Sequence, residues 1–219
     1  MKIDENSAIN EELVPDSERL YIFFGGIAGA IGMPPFEFYK ASNILDYSKI
    51  FIRDLSQSWY HNGLPGIGNS PLAIAQYLRS RIRDSGAVDI RFVGNSMGGY
   101  AALLFCSLLQ CGKVIAFSPQ TFLSDALRRQ YGDQRWPQQI NSLLQQNPFG
   151  IYELQPWIQQ YHPHLPASIY VSESDTLDLI HARQLEGFSH ITLHRFQQGG
   201  HVLVRALRDQ GRLAEILNG

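Results

Sequence analysis

The sequence predicts an α/β domain: a mostly parallel twisted sheet with helices on both faces, carrying a small helical cap. Three observations predict it. Short apolar runs suited to buried strands alternate with helical segments from residue 19 to the end. One strand–turn–helix unit, VDIRFVGNSMGGYAALLF at 88–105, is rich in glycine at its bend. The rhythm breaks once, over about 124–166, in an aromatic-rich stretch longer than a simple strand-to-helix connection.

Composition narrows the class. A chain of 219 residues with 44% hydrophobic and 17% charged residues can bury one large core, so 19–219 is expected to form a single domain behind a polar leader, 1–18. The net charge of -2, with no basic run, argues against a nucleic-acid partner. No apolar stretch reaches membrane-spanning length, and the acidic start MKIDENSAINEEL does not read as a signal peptide. Cys106 and Cys111 lie five apart in one helical segment, pointing to different faces, and read as small hydrophobes in a reducing compartment. The expected location is cytoplasmic.

Taken in order, RLYIFF at 19–24 is a strand of aromatic and β-branched residues ending in Gly25-Gly26-Ile27. Residues 36–43, preceded by Pro34 and Pro35, suggest a short helix. A second strand at 50–52 is followed by Arg53, Asp54 and a loop with Trp59 and Tyr60. Ser70 and Pro71 open an amphipathic helix whose apolar spacing is Leu72, Ile74, Ala75, Leu78 and Ile82. A strand at 90–93 leads through the glycine-rich turn to a helix at 100–109. Strands at 114–117, 168–171 and 191–196 follow, with helices at 177–185 and 202–217.

The turn carries the chemistry. Gly94 and Gly98 flank Ser96 two residues away on each side, letting strand and helix approach without Cβ clashes. Ser96 can then hold a disfavoured backbone conformation with its hydroxyl presented, and the N–H of Met97 would face a developing oxyanion. No Gly-Lys-Ser/Thr follows, so this is not a phosphate-binding Walker loop. In parallel sheets the ligand crevice lies beyond the carboxyl ends of the strands. Those ends supply Ser172-Glu173-Ser174-Asp175, with Asp178 further on, and Gln197-Gln198-Gly199-Gly200-His201. A serine hydroxyl needs a base, histidine titrates near neutrality, and a carboxylate orients the imidazole. Ser96, Asp175 and His201 are the expected triad, with Asp175 favoured over Asp178 as the acid. Gly26 is the expected second oxyanion donor, with Ile27 as the alternative. His162, His164, His181, His190 and His194 have weaker claims, and no ligand spacing for a metal is present. No cofactor is expected.

With these residues in view, the chain resembles the α/β-hydrolase superfamily from about residue 19 to the C-terminus. The resemblance rests on GNSMGG at 94–99, FFGG at 23–26, SESD at 172–175 and GGH at 199–201. It implies acyl-transfer chemistry at Ser96 and a cap at about 124–166 over the substrate. Two departures stand out: the antiparallel edge strands that usually open the fold are expected to be missing or reduced, and the His-Gly pair of lipases is absent after the first strand.

The function expected is a serine hydrolase cleaving an ester or thioester of a small or medium acyl substrate. The alternatives are a peptidase or acyltransferase with the same triad, a non-catalytic binding or scaffold protein, and a lyase or cofactor-free oxidoreductase on the same fold. Trp59, Tyr60, Arg53 and Asp54 could face substrate or simply anchor the surrounding loops.

Overall fold

The structure, a computed structural model, describes residues 7–27 and 36–219. Residues 1–6 and 28–35, which include Pro34 and Pro35, lie outside the described residues. Seven strands form one sheet in the order β1 (Ile9–Glu12), β3 (Ser48–Ile52), β2 (Arg19–Phe24), β4 (Asp89–Asn95), β5 (Lys113–Phe117), β6 (Ala167–Ser172) and β7 (Ile191–Phe196). All neighbours run parallel except β1, which pairs antiparallel with β3, Ile9 opposite Ile52. The expected leader therefore contributes an antiparallel edge strand.

Strand β2 shows why both faces are covered. Leu20, Ile22 and Phe24 enter the core on one side, Tyr21 and Phe23 the core on the other, as the two-residue strand period requires. On the first side lie α1 (Pro71–Ser85) and α2 (Met97–Leu109); on the second lie α7 (Leu203–Asp209) and α8 (Arg212–Asn218). Helix α1 starts as its sequence dictates. The Ser70 side chain accepts the Ala73 N–H at 3.3 Å, Pro71 occupies the first position, and Gly86 ends the helix at φ 66°. Ile74, Ala75 and Leu78 are buried, whereas Leu72 faces outward.

Two segments differ from expectation. Residues 36–43 form turns and a short 3-10 helix at Ala41–Ile44 rather than a regular helix. The C-terminal helix is broken into α7 and α8 at Gly211, whose φ of 74° an uninterrupted helix cannot accommodate. The stretch at 124–166 holds α3 (Asp125–Tyr131), α4 (Pro137–Gln146) and α5 (Leu154–Tyr161). Ile140, Leu143, Leu154 and Ile158 join the main core, so much of this stretch is part of the helical layer on the sheet. Helix α6 (Thr176–Arg183) links β6 to β7. Among the described residues no helix is long and apolar enough to cross a membrane. Both cysteines are free, and burial pushes the Cys106 thiol well above its ordinary pKa.

Candidate active site

The bend between β4 and α2 places Ser96 at φ 54°, ψ -118°, a backbone conformation that costs energy for any residue with a Cβ. Surrounding bonds hold it there. The Ser96 N–H donates to the Phe117 carbonyl at 2.9 Å, and the Ser96 carbonyl accepts the Tyr100 N–H at 3.0 Å. The flanking glycines are sterically required. A Cβ on Gly94 would lie 2.0 Å from the Gly98 carbonyl oxygen, and one on Gly98 would lie 2.1 Å from that of Phe24. The serine and its neighbours are thus wedged between β2, β4 and β5.

His201 lies in a 3-10 turn, Gly200–Val202, between β7 and α7. Its Nε2 is 3.0 Å from Ser96 Oγ, and its Nδ1 lies 2.8 and 2.9 Å from the two carboxylate oxygens of Asp178. The carboxylate fixes the tautomer: Nδ1–H donates to Asp178, and Nε2 is left to accept the serine proton. The Asp178 side chain is almost entirely buried, while that of His201 is about one quarter exposed. Burial would raise the Asp178 pKa, but the hydrogen bonds and charge of His201 and Arg135 outweigh it and lower it.

The residue beside His201 is therefore Asp178, where the sequence reading favoured Asp175. The reason is local. Helix α6 begins immediately after Asp175, whose side chain accepts the Asp178 N–H at 2.9 Å as the N-cap. Asp175 commits Oδ1 to that cap and makes no hydrogen bond to the imidazole, whereas Asp178, one turn along, bonds it through both oxygens. Ligand atoms of Asp175, Asp178 and His201 lie within 4.8 Å of one another. That closeness follows from the histidine–carboxylate pair and the helix cap, and no metal ligation is assigned to it.

Gly26 does lie at the site: a Cβ placed on it would be 3.8 Å from Ser96 Cβ. Its N–H, however, donates to Glu37 Oε2 at 2.8 Å, and Asn95 Nδ2 donates to Glu37 Oε1 at 2.9 Å. The donor expected to serve an oxyanion is engaged within the chain, which leaves the Ile27 N–H as the unengaged amide of that loop among the described residues. Burial raises the Glu37 pKa, against the lowering influence of Gly26, Asn95 and His201. The Met97 N–H, at the first position of α2, has no intrahelical partner and sits at the positive end of the helix dipole.

The remaining candidates serve structure. Asp54 is a loop organiser, accepting the N–H groups of Ser56, Ser58 and Tyr60 at 3.0, 2.7 and 2.8 Å. Tyr60 donates to the Gly25 carbonyl at 2.9 Å, and Trp59 to Gln120 at 2.7 Å, so both fully buried aromatics brace the loops around the site. Arg53 binds the Ser7 carbonyl at 2.8 Å and lies over Phe36. Glu37, Asn95 and Arg135 were not foreseen: neither Glu37 nor Arg135 stands at the end of a strand, and no local motif marks them.

No family model and no curated protein matches the sequence. Solved structures do. The capsule O-acetyltransferase of Neisseria meningitidis serogroup A superposes with a TM-score of 0.70 at 17% identity, over 96% of this chain and 91% of that one. An alpha/beta hydrolase enzyme from a lagoon-sediment metagenome gives 0.55 at 13%, over 93% and 95%. The chain has the α/β-hydrolase fold. A lipase-esterase related protein from Clostridium acetobutylicum gives 0.61 at 15% identity, over 96% and 98%. On this α/β-hydrolase fold the turn after β4, the start of α6 and the turn after β7 meet at the carboxyl edge of the sheet, where such folds bind ligands.

Proposed function

We propose that the protein is a serine-dependent acyl-transfer enzyme that cleaves an ester or thioester of a small or medium acyl group, with Ser96, His201 and Asp178 as its triad. The observation that carries this reading is the continuous chain Ser96 Oγ–His201 Nε2 at 3.0 Å and His201 Nδ1–Asp178 at 2.8 Å, built on a strained elbow at Ser96. As Ser96 Oγ attacks the acyl carbon, His201 Nε2 takes its proton and Asp178 stabilises the imidazolium. The Met97 N–H and a donor from the 25–27 loop, Ile27 in this conformation, stabilise the tetrahedral oxyanion. His201 then protonates the leaving alcohol or thiol, the bond to it breaks, and an acyl-Ser96 ester remains. An incoming hydroxyl, deprotonated by His201, resolves that ester.

Whether that hydroxyl belongs to water or to a second substrate divides hydrolysis from acyl transfer. The likeness to a capsule O-acetyltransferase favours including transfer as a second reading. The test begins with a fluorophosphonate probe on wild type and on Ser96→Ala, the adduct located by mass spectrometry. Labelling confined to Ser96 is expected; an unlabelled, folded wild type would point instead to a binding module. Acetyl thioesters and 4-nitrophenyl esters, assayed with and without added polyols or sugars, then separate the two readings. Free acid alone means hydrolysis, and an acylated polyol means transfer.

A further inference from the structure

Behind the triad acid lies a buried charge network that the proposed reaction does not by itself require. Arg135, from the segment between α3 and α4, donates Nη1 to Asp178 Oδ1 at 2.7 Å, the same oxygen that His201 approaches at 2.9 Å. Its other edge grips Asp133: Nε to Oδ1 at 3.0 Å and Nη2 to Oδ2 at 2.9 Å, with the backbone N–H adding 2.9 Å to Oδ1. Asp133 is held in turn by His181, whose Nε2 lies 3.0 Å from Oδ2 while its Nδ1 accepts the Thr121 N–H at 3.0 Å. Those bonds fix His181 as the Nε2–H tautomer, and burial lowers its pKa, so it is a neutral prop. The side chains of Asp133, Asp178 and His181 are essentially inaccessible, and that of Arg135 is one fifth exposed. The next residue, Trp136, lies under the guanidinium and places its ring 5.5 Å from the His201 ring.

We propose that Arg135 is a positioning residue for the triad acid: by bridging Asp133 and Asp178 it aims the Asp178 carboxylate at His201 and shares its negative charge. This rests on the triad reading above. The guanidinium fork is rigid: clasped at two points by Asp133, it aims its remaining Nη1–H at Asp178 Oδ1 as a lone ammonium would not. Among the described residues the charges facing the triad are few. Asp178 and, from the 36–40 turn, Glu37 act on His201, with an Asp175 carboxylate oxygen within 4.8 Å of a ring nitrogen. Arg135 and His201 act on Asp178, with Asp133, His181 and the capping Asp175 next to them. Arg128 adds a further cation 3.7 Å from Asp133. Removing Arg135 leaves the whole Asp178 charge on His201. The protonated imidazole is then favoured, and more alkaline solution is needed to free the base.

The test is the rate of fluorophosphonate labelling of the full chain across about pH 5 to pH 9. Arg135→Met is expected to move the acid limb upward by at least about half a pH unit. Arg135→Lys should keep the limb in place while the plateau falls several-fold, because one ammonium cannot hold both carboxylates. Circular dichroism reports whether each variant folds. Should Arg135→Met not fold, Arg135→Lys decides: a plateau equal to wild type overturns the proposal. So does a folded Arg135→Met whose limb coincides with wild type, even at a lower plateau. The two readings fail separately. If wild type is not labelled at Ser96, or Asp178→Asn is labelled like wild type, the triad reading falls. If Asp178→Asn is silenced while both Arg135 variants behave as wild type, only the positioning role falls.

Discussion

Asp175 and Asp178 stand three residues apart, and α6 starting between them sends their carboxylates to different partners, a helix end and an imidazole. Substitution should separate those roles. Asp178→Asn keeps the size but offers His201 an amide, so turnover of an activated ester should fall by about 10³–10⁴-fold. Asp175→Asn should leave turnover within a few-fold, since asparagine caps as well as aspartate. Asp175→Ala should cost about 1 kcal/mol in thermal or urea unfolding with little catalytic effect. Loss of activity in Asp175→Asn but not Asp178→Asn would return the acid to Asp175. Glu37 poses a different question, because a carboxyl with a raised pKa binds its proton more tightly folded than unfolded. Its unfavourable contribution grows as pH rises from the unfolded value toward the folded one and persists above it. Glu37→Gln removes the charge, keeps an acceptor for the Gly26 N–H, and can donate to Asn95 Oδ1, a buried atom without a partner among the described residues, once that amide is turned. The variant should melt roughly 2–4 °C higher at neutral pH, the gap closing in acid. A lower melting temperature at neutral pH would show that the charged form is the stabilising one.

At the scale of the element, the elbow is a packing problem solved by three glycines. A Cβ on Gly98 meets the Phe24 carbonyl oxygen at 2.1 Å, whereas a Cβ on Gly99 meets Cβ and Cα of Pro119 at 2.9 and 3.0 Å. Backbone of a central strand cannot retreat by an ångström, but a loop residue can shift by tenths of one. Gly98→Ala should therefore cost at least about 3 kcal/mol or prevent folding, and Gly99→Ala about 1–2 kcal/mol, as urea unfolding would measure. Equal costs would mean that the strand, not the loop, yields. The same local density made this element legible: its period changes from strand to helix across a run of glycines, and no distant contact is needed to recognise it. The segment 36–44 lacked such a signal. Its apolar Phe36 and Phe38, two residues apart, serve the second core from turns, at φ 65° for Phe38, a backbone conformation that a regular helix does not contain. Gly211 was legible as a weak helix residue but not as a break, because a single glycine breaks a helix only when packing on both sides favours the bend.

For the whole molecule, what the sequence made visible follows the order of the chain. Ser96 and His201 could be found because parallel strands deliver their carboxyl ends to one edge, and each residue follows a strand closely. Glu37 and Arg135 could not, since they reach Gly26 and Asp178 from loops with no strand to place them. The acid-side stability of the protein depends on that second, hidden group. Hydrogen bonds from His181 and Arg135 overcome burial and hold Asp133 far below the usual carboxylate range; Asp178 is lowered likewise by His201 and Arg135. A depressed carboxylate contributes stability that is complete above the unfolded pKa, about 3.9, and is lost as pH falls below it. Melting temperature should hold through neutrality and fall steadily once the solution is below about pH 4. Asp133→Asn leaves Arg128 without its buried counterion and Arg135 with Asp178 alone, and should cost about 3 kcal/mol or more at neutral pH. Because the wild type loses that same contribution in acid, the two melting curves should converge as pH is lowered. Curves that stay parallel would mean that Asp133 stabilises by shape and hydrogen bonding alone, and that the charges around the triad acid are balanced by other groups.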